Sequence, residues 1–177
     1  MRSSTPISGG TLEMTGTLEK GKIADLLKDQ DVLIDLDVPD KDALFDVASQ
    51  GLAKGCQVPA GTILAALMRR ERLGPTALGQ EVAVPHASVE GLDGIHVLYA
   101  RLKQPCFFDG ATGMPVVHAL FLIVPMPANQ THLDMLAEVA RLFSQPDFQK
   151  ALRRAESPSG IRQAFQEYCE RSPARID

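Results

Sequence analysis

The chain has 177 residues, 45% of them hydrophobic and 23% charged, enough to bury one substantial core but too few to make a second domain the expectation. A formal net charge of −4, from 18 Lys and Arg against 22 Asp and Glu, excludes the basic field by which nucleic acid is bound through its phosphates. No apolar run approaches the roughly 20 residues that span a bilayer, and the Ser/Thr/Gly-rich start lacks the apolar centre of a signal peptide, so the expected location is the cytoplasm without direct membrane insertion.

Residues 1–17 hold neither a helical nor a strand period and are expected to form a mobile tail, leaving one domain over residues 18–171. Ile23, Leu26 and Leu27 have the spacing of a short amphipathic helix. "DVLIDLDV" then alternates as a strand does, around Val32 and Ile34. Asp40 is placed to cap a helix whose apolar face is Ala43, Leu44, Val47, Ala48 and Leu52. Pro59 opens a second helix through Ile63, Leu64, Leu67 and Met68, since a first turn does not need the missing N–H. The middle third reads as three strands, "EVAVPH", "GIHVLYARL" and "PVVHALFLIV". The last is apolar almost throughout, as a central strand covered on both faces must be. A helix from Thr131 to Phe143 follows, and Pro146 and Pro158 each suit the first turn of another. Helices around a strand-rich middle predict one three-layer α/β/α domain with a mixed central sheet.

Cys56, Cys106 and Cys169 are odd in number and far apart, which argues against a disulfide framework or a thiolate zinc site and for reduced thiols. Among the histidines, His96 and His118 lie inside strand runs and read as packed or edge residues. His132, in the first turn of its helix with Asn129 or Thr131 as the cap, sits beside backbone N–H groups that attract anions. His86 follows Pro85, which removes a backbone donor and tends to end regular pairing. It is therefore expected at the carboxyl end of its strand, the edge where open α/β sheets bind ligands; spacing alone leaves it either there as a ligand group or as the first residue of a loop. A metal held by His86 and His132 with Asp93 or Asp134 lacks any H-x-x-x-H or H-E-x-x-H spacing. A Cys106 or serine hydrolase lacks a local signature. Arg69, Arg70 and Arg72 complement the negative end of a helix dipole, yet an arginine there also offers bidentate contacts to phosphate.

The run Arg70-Glu71-Arg72-Leu73-Gly74-Pro75-Thr76-Ala77-Leu78-Gly79-Gln80-Glu81-Val82-Ala83-Val84-Pro85-His86-Ala87 resembles the signature of the fructose/mannitol-type enzyme IIA domains of the bacterial phosphotransferase system, R-E-x-x-x-x-T-x-[IL]-G-x-G-[IV]-A-[IV]-P-H. It looks closest to their nitrogen-regulatory branch, and "FLIVPMPANQTHLDMLAEVARLF" matches a second family segment in the expected order. The resemblance spans about residues 18–170. It implies that His86 accepts a phosphoryl group, that His132 is the imidazole hydrogen-bonding it or the phosphoryl oxygens, and that Arg70 is the phosphate-facing cation, with no metal or cofactor. It further implies a histidine phosphocarrier protein as donor. The acceptor is then a downstream regulated protein or, if the chain serves sugar transport, a cysteine of an enzyme IIB. Glu81 stands where the family has glycine and Ser88 where a basic or polar residue often follows. A carboxylate facing inward at Glu81 would oppose a phosphoryl dianion, which keeps open a third reading, an interaction module of the same fold that is not phosphorylated.

Overall fold

The computed structural model describes residues 23–109 and 113–171. The tail expected over residues 1–17 and the start of the domain, residues 18–22, lie outside them. A short helix α1 (Ile23–Leu26) leads through a 3-10 turn (Asp29–Asp31) into β1 (Val32–Leu36), and two helices follow, α2 (Lys41–Ala53) and α3 (Ala60–Arg72). Asp40 caps α2 as its sequence position suggests, its carboxylate accepting from the Ala43 N–H at 2.8 Å. The strands β2 (Ala77–Gly79), β3 (Val82–Ala83), β4 (His86–Val89), β5 (His96–Phe107) and β6 (Pro115–Pro125) come next, and α4 (Gln130–Phe143), α5 (Pro146–Arg154) and α6 (Pro158–Arg171) complete the described residues.

The six strands form one mixed sheet in the order β1-β5-β6-β3-β2, with β4 also on β6. β1 runs parallel to β5, β5 antiparallel to β6, and β3 and β4 both parallel to β6. β6 is the apolar run read as a central strand, and its alternation feeds two cores. Leu120, Leu122 and Val124 join the residues of α1, α4, α5 and α6, while Ala119, Phe121 and Ile123 join those of α2 and α3. The three-layer expectation holds, and each layer boundary is a continuous apolar surface removed from water. Tyr99, Phe143, Phe148 and Phe165 cluster edge to face in the first core, with Phe148 and Phe165 centroids 5.0 Å apart, a geometry that aromatic quadrupoles favour. On the other side α2 lies so close to the sheet that a Cβ at Gly51 would stand 2.4 Å from a Leu98 side-chain carbon, so a larger residue there would require the Leu98 side chain to shift.

One sequence reading changes in form. "EVAVPH" is not a single strand ending at His86: pairing to β6 breaks at Val84-Pro85 and resumes with β4. Ala83 stands opposite Ala119 and His86 opposite Leu122, three residues on along both strands, so the two segments keep one register. Pro85 interrupts the ladder by lacking an N–H, yet its carbonyl still accepts from Leu122 N–H at 2.9 Å.

His118, expected as a packed histidine, is fully buried in β6. The Tyr99 hydroxyl bonds its Nδ1 at 2.7 Å, and Nε2 has no hydrogen-bond partner among the described residues. Burial, with the charges of Arg153 and Arg101, pushes its pKa down to about 4 from 6.5. A histidine lowered on folding binds protons more readily when unfolded, so the stability it preserves above pH 6.5 is lost as pH falls toward 4. Urea unfolding at about pH 4.5 should therefore give a free energy about 2 kcal/mol lower than at about pH 7, and His118→Leu should remove most of that difference. A wild-type protein equally stable at both values would refute it.

Candidate functional site

Three elements meet at the carboxyl end of β6. The last turn of α3 carries Arg69 and Arg70, β4 carries His86 and Ser88, and the first turn of α4 carries His132; together they line a cavity of about 430 Å³ whose walls are otherwise mostly apolar. Arg70, His86 and His132, singled out separately in the sequence, thus face one space.

His86 is held at both ring nitrogens. Its Nδ1 lies 2.8 Å from the Val84 carbonyl, which can only accept, so Nδ1 carries the proton. Its Nε2 lies 3.2 Å from Arg70 Nε, which can only donate, so Nε2 presents the lone pair. Both ends agree on one neutral tautomer. Arg70 is itself braced, its Nη1 donating to the Gly74 carbonyl at 3.1 Å. Burial pushes the His86 pKa below 6.5; the Val84 bond works against this, Arg70's charge reinforces it, and Glu71 opposes it. The lone pair therefore survives below the pH at which an ordinary imidazole is protonated. An NMR titration of the His86 ring should have its midpoint below 6.5, and capacity for a lone-pair reaction should stay level down to that value and decline only under it. A midpoint at or above 6.5 would contradict the geometry.

His132 differs in detail from its sequence reading. Its ring does not stand beside free N–H groups but takes one up, with Nδ1 accepting from the Asn129 N–H at 2.8 Å. Asn129, one of the two residues weighed as the cap, holds that position. With Nδ1 an acceptor, the neutral ring carries its proton on Nε2. His86 and His132 are consequently complementary, one offering a nitrogen lone pair and the other an N–H, beside the N-terminal turn of α4, whose dipole favours negative charge.

Of the two aspartates weighed as metal ligands with these histidines, Asp93 lies 3.0 Å from His96, and Asp134 accepts from Gln130 Nε2 at 3.0 Å. Sequence reasoning missed the Val84 carbonyl, the Gly74 carbonyl and the pair formed by Glu71 and Thr76. The first two are backbone atoms with no residue signature, and Glu71 and Thr76 were visible only as letters in a motif.

Glu81 has φ of +64°, following Gln80 at +52° and Gly79 at +83°. The position does need the left-handed conformation that glycine supplies most cheaply. Its carboxylate pairs with Arg153 of α5, and its carbonyl accepts from Val117 and His118 N–H at 2.8 and 2.9 Å. His118 is four residues along β6 from Leu122, the partner of His86, roughly 13 Å at the rise of a strand. Glu81 is not among the residues lining the His86 cavity.

Fold and site define the chain as an α/β/α domain built around an imidazole that is bonded to an arginine and stands on the strand beside the carboxyl half of the central one. It belongs to the family described as phosphoenolpyruvate-dependent sugar phosphotransferase system, EIIA 2, whose model matches residues 25–168. It is 33% identical over 139 residues to the nitrogen regulatory protein of Bradyrhizobium diazoefficiens, covering 78% of this chain and 91% of that one. The crystal structure of nitrogen regulatory protein IIA-Ntr from Neisseria meningitidis superposes with a TM-score of 0.76 at 31% identity, covering 81% of this chain and 98% of that one. At 17% identity and a TM-score of 0.68, over 80% of this chain and 97% of that one, the fold is also that of a chain in the complex of enzyme IIA mannitol and phosphorylated enzyme IIB mannitol from Escherichia coli.

Proposed function

We propose that residues 18–171 form a phosphoryl-accepting domain in which His86 Nε2 receives the group from a phosphohistidine on a small carrier protein in the cytoplasm. The observation that carries this is the pair of bonds on His86, which commits Nε2 to the lone pair. In the transfer the donor's N–P bond breaks as the His86 Nε2–P bond forms, and the Nδ1 proton stays in place against the Val84 carbonyl. That carbonyl then faces a ring made more electron-poor by the new substituent, so the same bond that sets the tautomer also stabilises the product. Arg70 and the His132 Nε2–H would take the phosphoryl oxygens, a task of position and charge that requires no metal.

The surroundings suit a protein as donor and reader. Leu73, Met126 and Leu133 line the cavity and are 83%, 59% and 60% exposed, which makes an apolar rim around a charged centre. A dianion added at His86 would change the sign of that centre, a change a downstream partner can sense. The role we favour is regulatory, of the nitrogen type, because the similarity runs along nearly the whole of the nitrogen regulatory relative. A transport role, passing the group to a cysteine of an enzyme IIB, is supported at the level of fold by the neighbour that forms such a complex. The reason for reading the chain as an unphosphorylated module was an inward Glu81, and its pairing with Arg153 removes that reason. Among the described residues no helix is long and apolar enough to cross a membrane, in keeping with partners met in solution.

Incubation with phosphoenolpyruvate, enzyme I and phosphocarrier should add one phosphoryl group, seen by intact mass and located on His86 Nε2 by NMR. No gain, or a group found elsewhere, would overturn the assignment.

A further inference from the structure

Glu71 stands where the helix dipole and burial disfavour a carboxylate. It lies in the last turn of α3, at the negative end of the helix dipole, and its side chain is only 5% exposed. Its Oε1 has no hydrogen-bond partner among the described residues, with Lys41 Nζ 3.8 Å away. A buried carboxylate held at such cost is most simply explained by what its other oxygen does.

That oxygen, Oε2, accepts from both the N–H and the hydroxyl of buried Thr76, at 3.2 and 2.6 Å. The connection does not stop there. The Thr76 carbonyl accepts from the Val84 N–H at 3.0 Å, and the Val84 carbonyl is the group 2.8 Å from His86 Nδ1. One residue before Glu71, Arg70 donates directly to His86 Nε2 and braces the same loop through Gly74. Two adjacent residues of one helical turn thus reach opposite nitrogens of one imidazole, Arg70 at first hand and Glu71 through Thr76 and Val84.

We propose that Glu71 and Thr76 are positioning residues for phosphoryl transfer, a clamp that fixes the Val84 carbonyl relative to Arg70 and so sets both the tautomer and the angle of the His86 ring. The proposal rests on His86 being the acceptor. A merely structural clamp would hold the loop between α3 and β2 and leave the ring indifferent. Positioning makes a stronger demand, because reactivity falls steeply when the attacking atom is displaced by even an ångström.

Thr76→Val keeps the shape of the side chain and removes the hydroxyl, Glu71→Gln keeps the shape and removes the charge, and Thr76→Ser retains the hydroxyl. Two readouts separate the roles: ¹⁵N NMR of the His86 ring in the unphosphorylated protein, and the rate of phosphoryl acceptance from the carrier. Wild type should show one tautomer, protonated on Nδ1. Thr76→Val and Glu71→Gln should show mixed tautomers and accept the group at least about tenfold more slowly, and Thr76→Ser should regain the tautomer and most of the rate. A Thr76→Val protein with wild-type tautomer and rate overturns the proposal. So does loss of the fold in both Thr76→Val and Glu71→Gln, seen by circular dichroism, which would assign the clamp to stability alone. If wild type takes no phosphate while Thr76→Val still mixes the tautomers, the acceptor role fails and the clamp stands.

Discussion

His86→Ala should take up no phosphoryl group from the carrier while remaining folded. The ring is the only part of His86 that the proposed chemistry uses, and what holds β4 is its backbone ladder to β6. Alanine leaves that ladder intact and frees the Val84 carbonyl to meet water, so the stability cost should be about 1 kcal/mol. The loss of acceptance should be complete by intact mass, because the variant has no other imidazole with the same arrangement. His132 has its Nδ1 occupied by the Asn129 N–H, His96 is paired with Asp93, and His118 is fully buried. Mass measurement beside a thermal melt checks both halves. A variant that gains as much phosphate as wild type would show that the acceptor lies elsewhere.

Arg70→Ala should lower the rate of acceptance by about 10²–10³-fold. Its guanidinium donates to the nitrogen proposed to attack, so under that proposal it has to give up Nε2 during transfer and follow the incoming oxygens. That exchange suits a planar group with several donors, and Arg70→Lys should recover only part of the rate, since an ammonium restores charge without the fork. Its charge is also one of the causes holding the His86 pKa down. The alanine variant should accordingly titrate higher than wild type, and the two effects can be read on the same samples. Transfer within about twofold of wild type in Arg70→Ala would refute the role.

What the sequence disclosed and what it hid divide along the distance between interacting residues. The helices were legible because their apolar spacing is written within a few turns, and the cap at Asp40 because a carboxylate three residues from its donor is a local event. β6 was legible because both of its faces are buried, which leaves an unbroken apolar run. β4 was not: "HASV" has no strand period, and it is extended because it continues along β6 in the register that β3 began. β5 was read to Leu102 and extends to Phe107, past an irregularity in its pairing with β6 between Arg101 and Cys106. Its residues Lys103 to Gln104 are exposed and gave no apolar signal. The left-handed backbone at Glu81 was signalled only by the glycine that the resembled family has there, not by the glutamate itself, which rarely adopts it. At the site, sequence brought forward Arg70, His86 and His132 as residue types, and the resemblance supplied their roles; the tautomers depended on Val84 and Asn129, whose backbone atoms carry no letter of their own.

The placement of β6 has a consequence for the order in which the domain is made. It borders β5 on one side and both β3 and β4 on the other, yet among the described residues it is the last strand in sequence. A growing polypeptide released as far as residue 114 already contains Arg70 and His86 but lacks the strand that aligns β3 with β4, and His132 has still to be added. Contacts between segments so far apart in sequence cannot form piecemeal. During synthesis His86, the proposed acceptor, is therefore present as a residue well before it stands in its site, and the two coincide only when the middle of the sheet arrives.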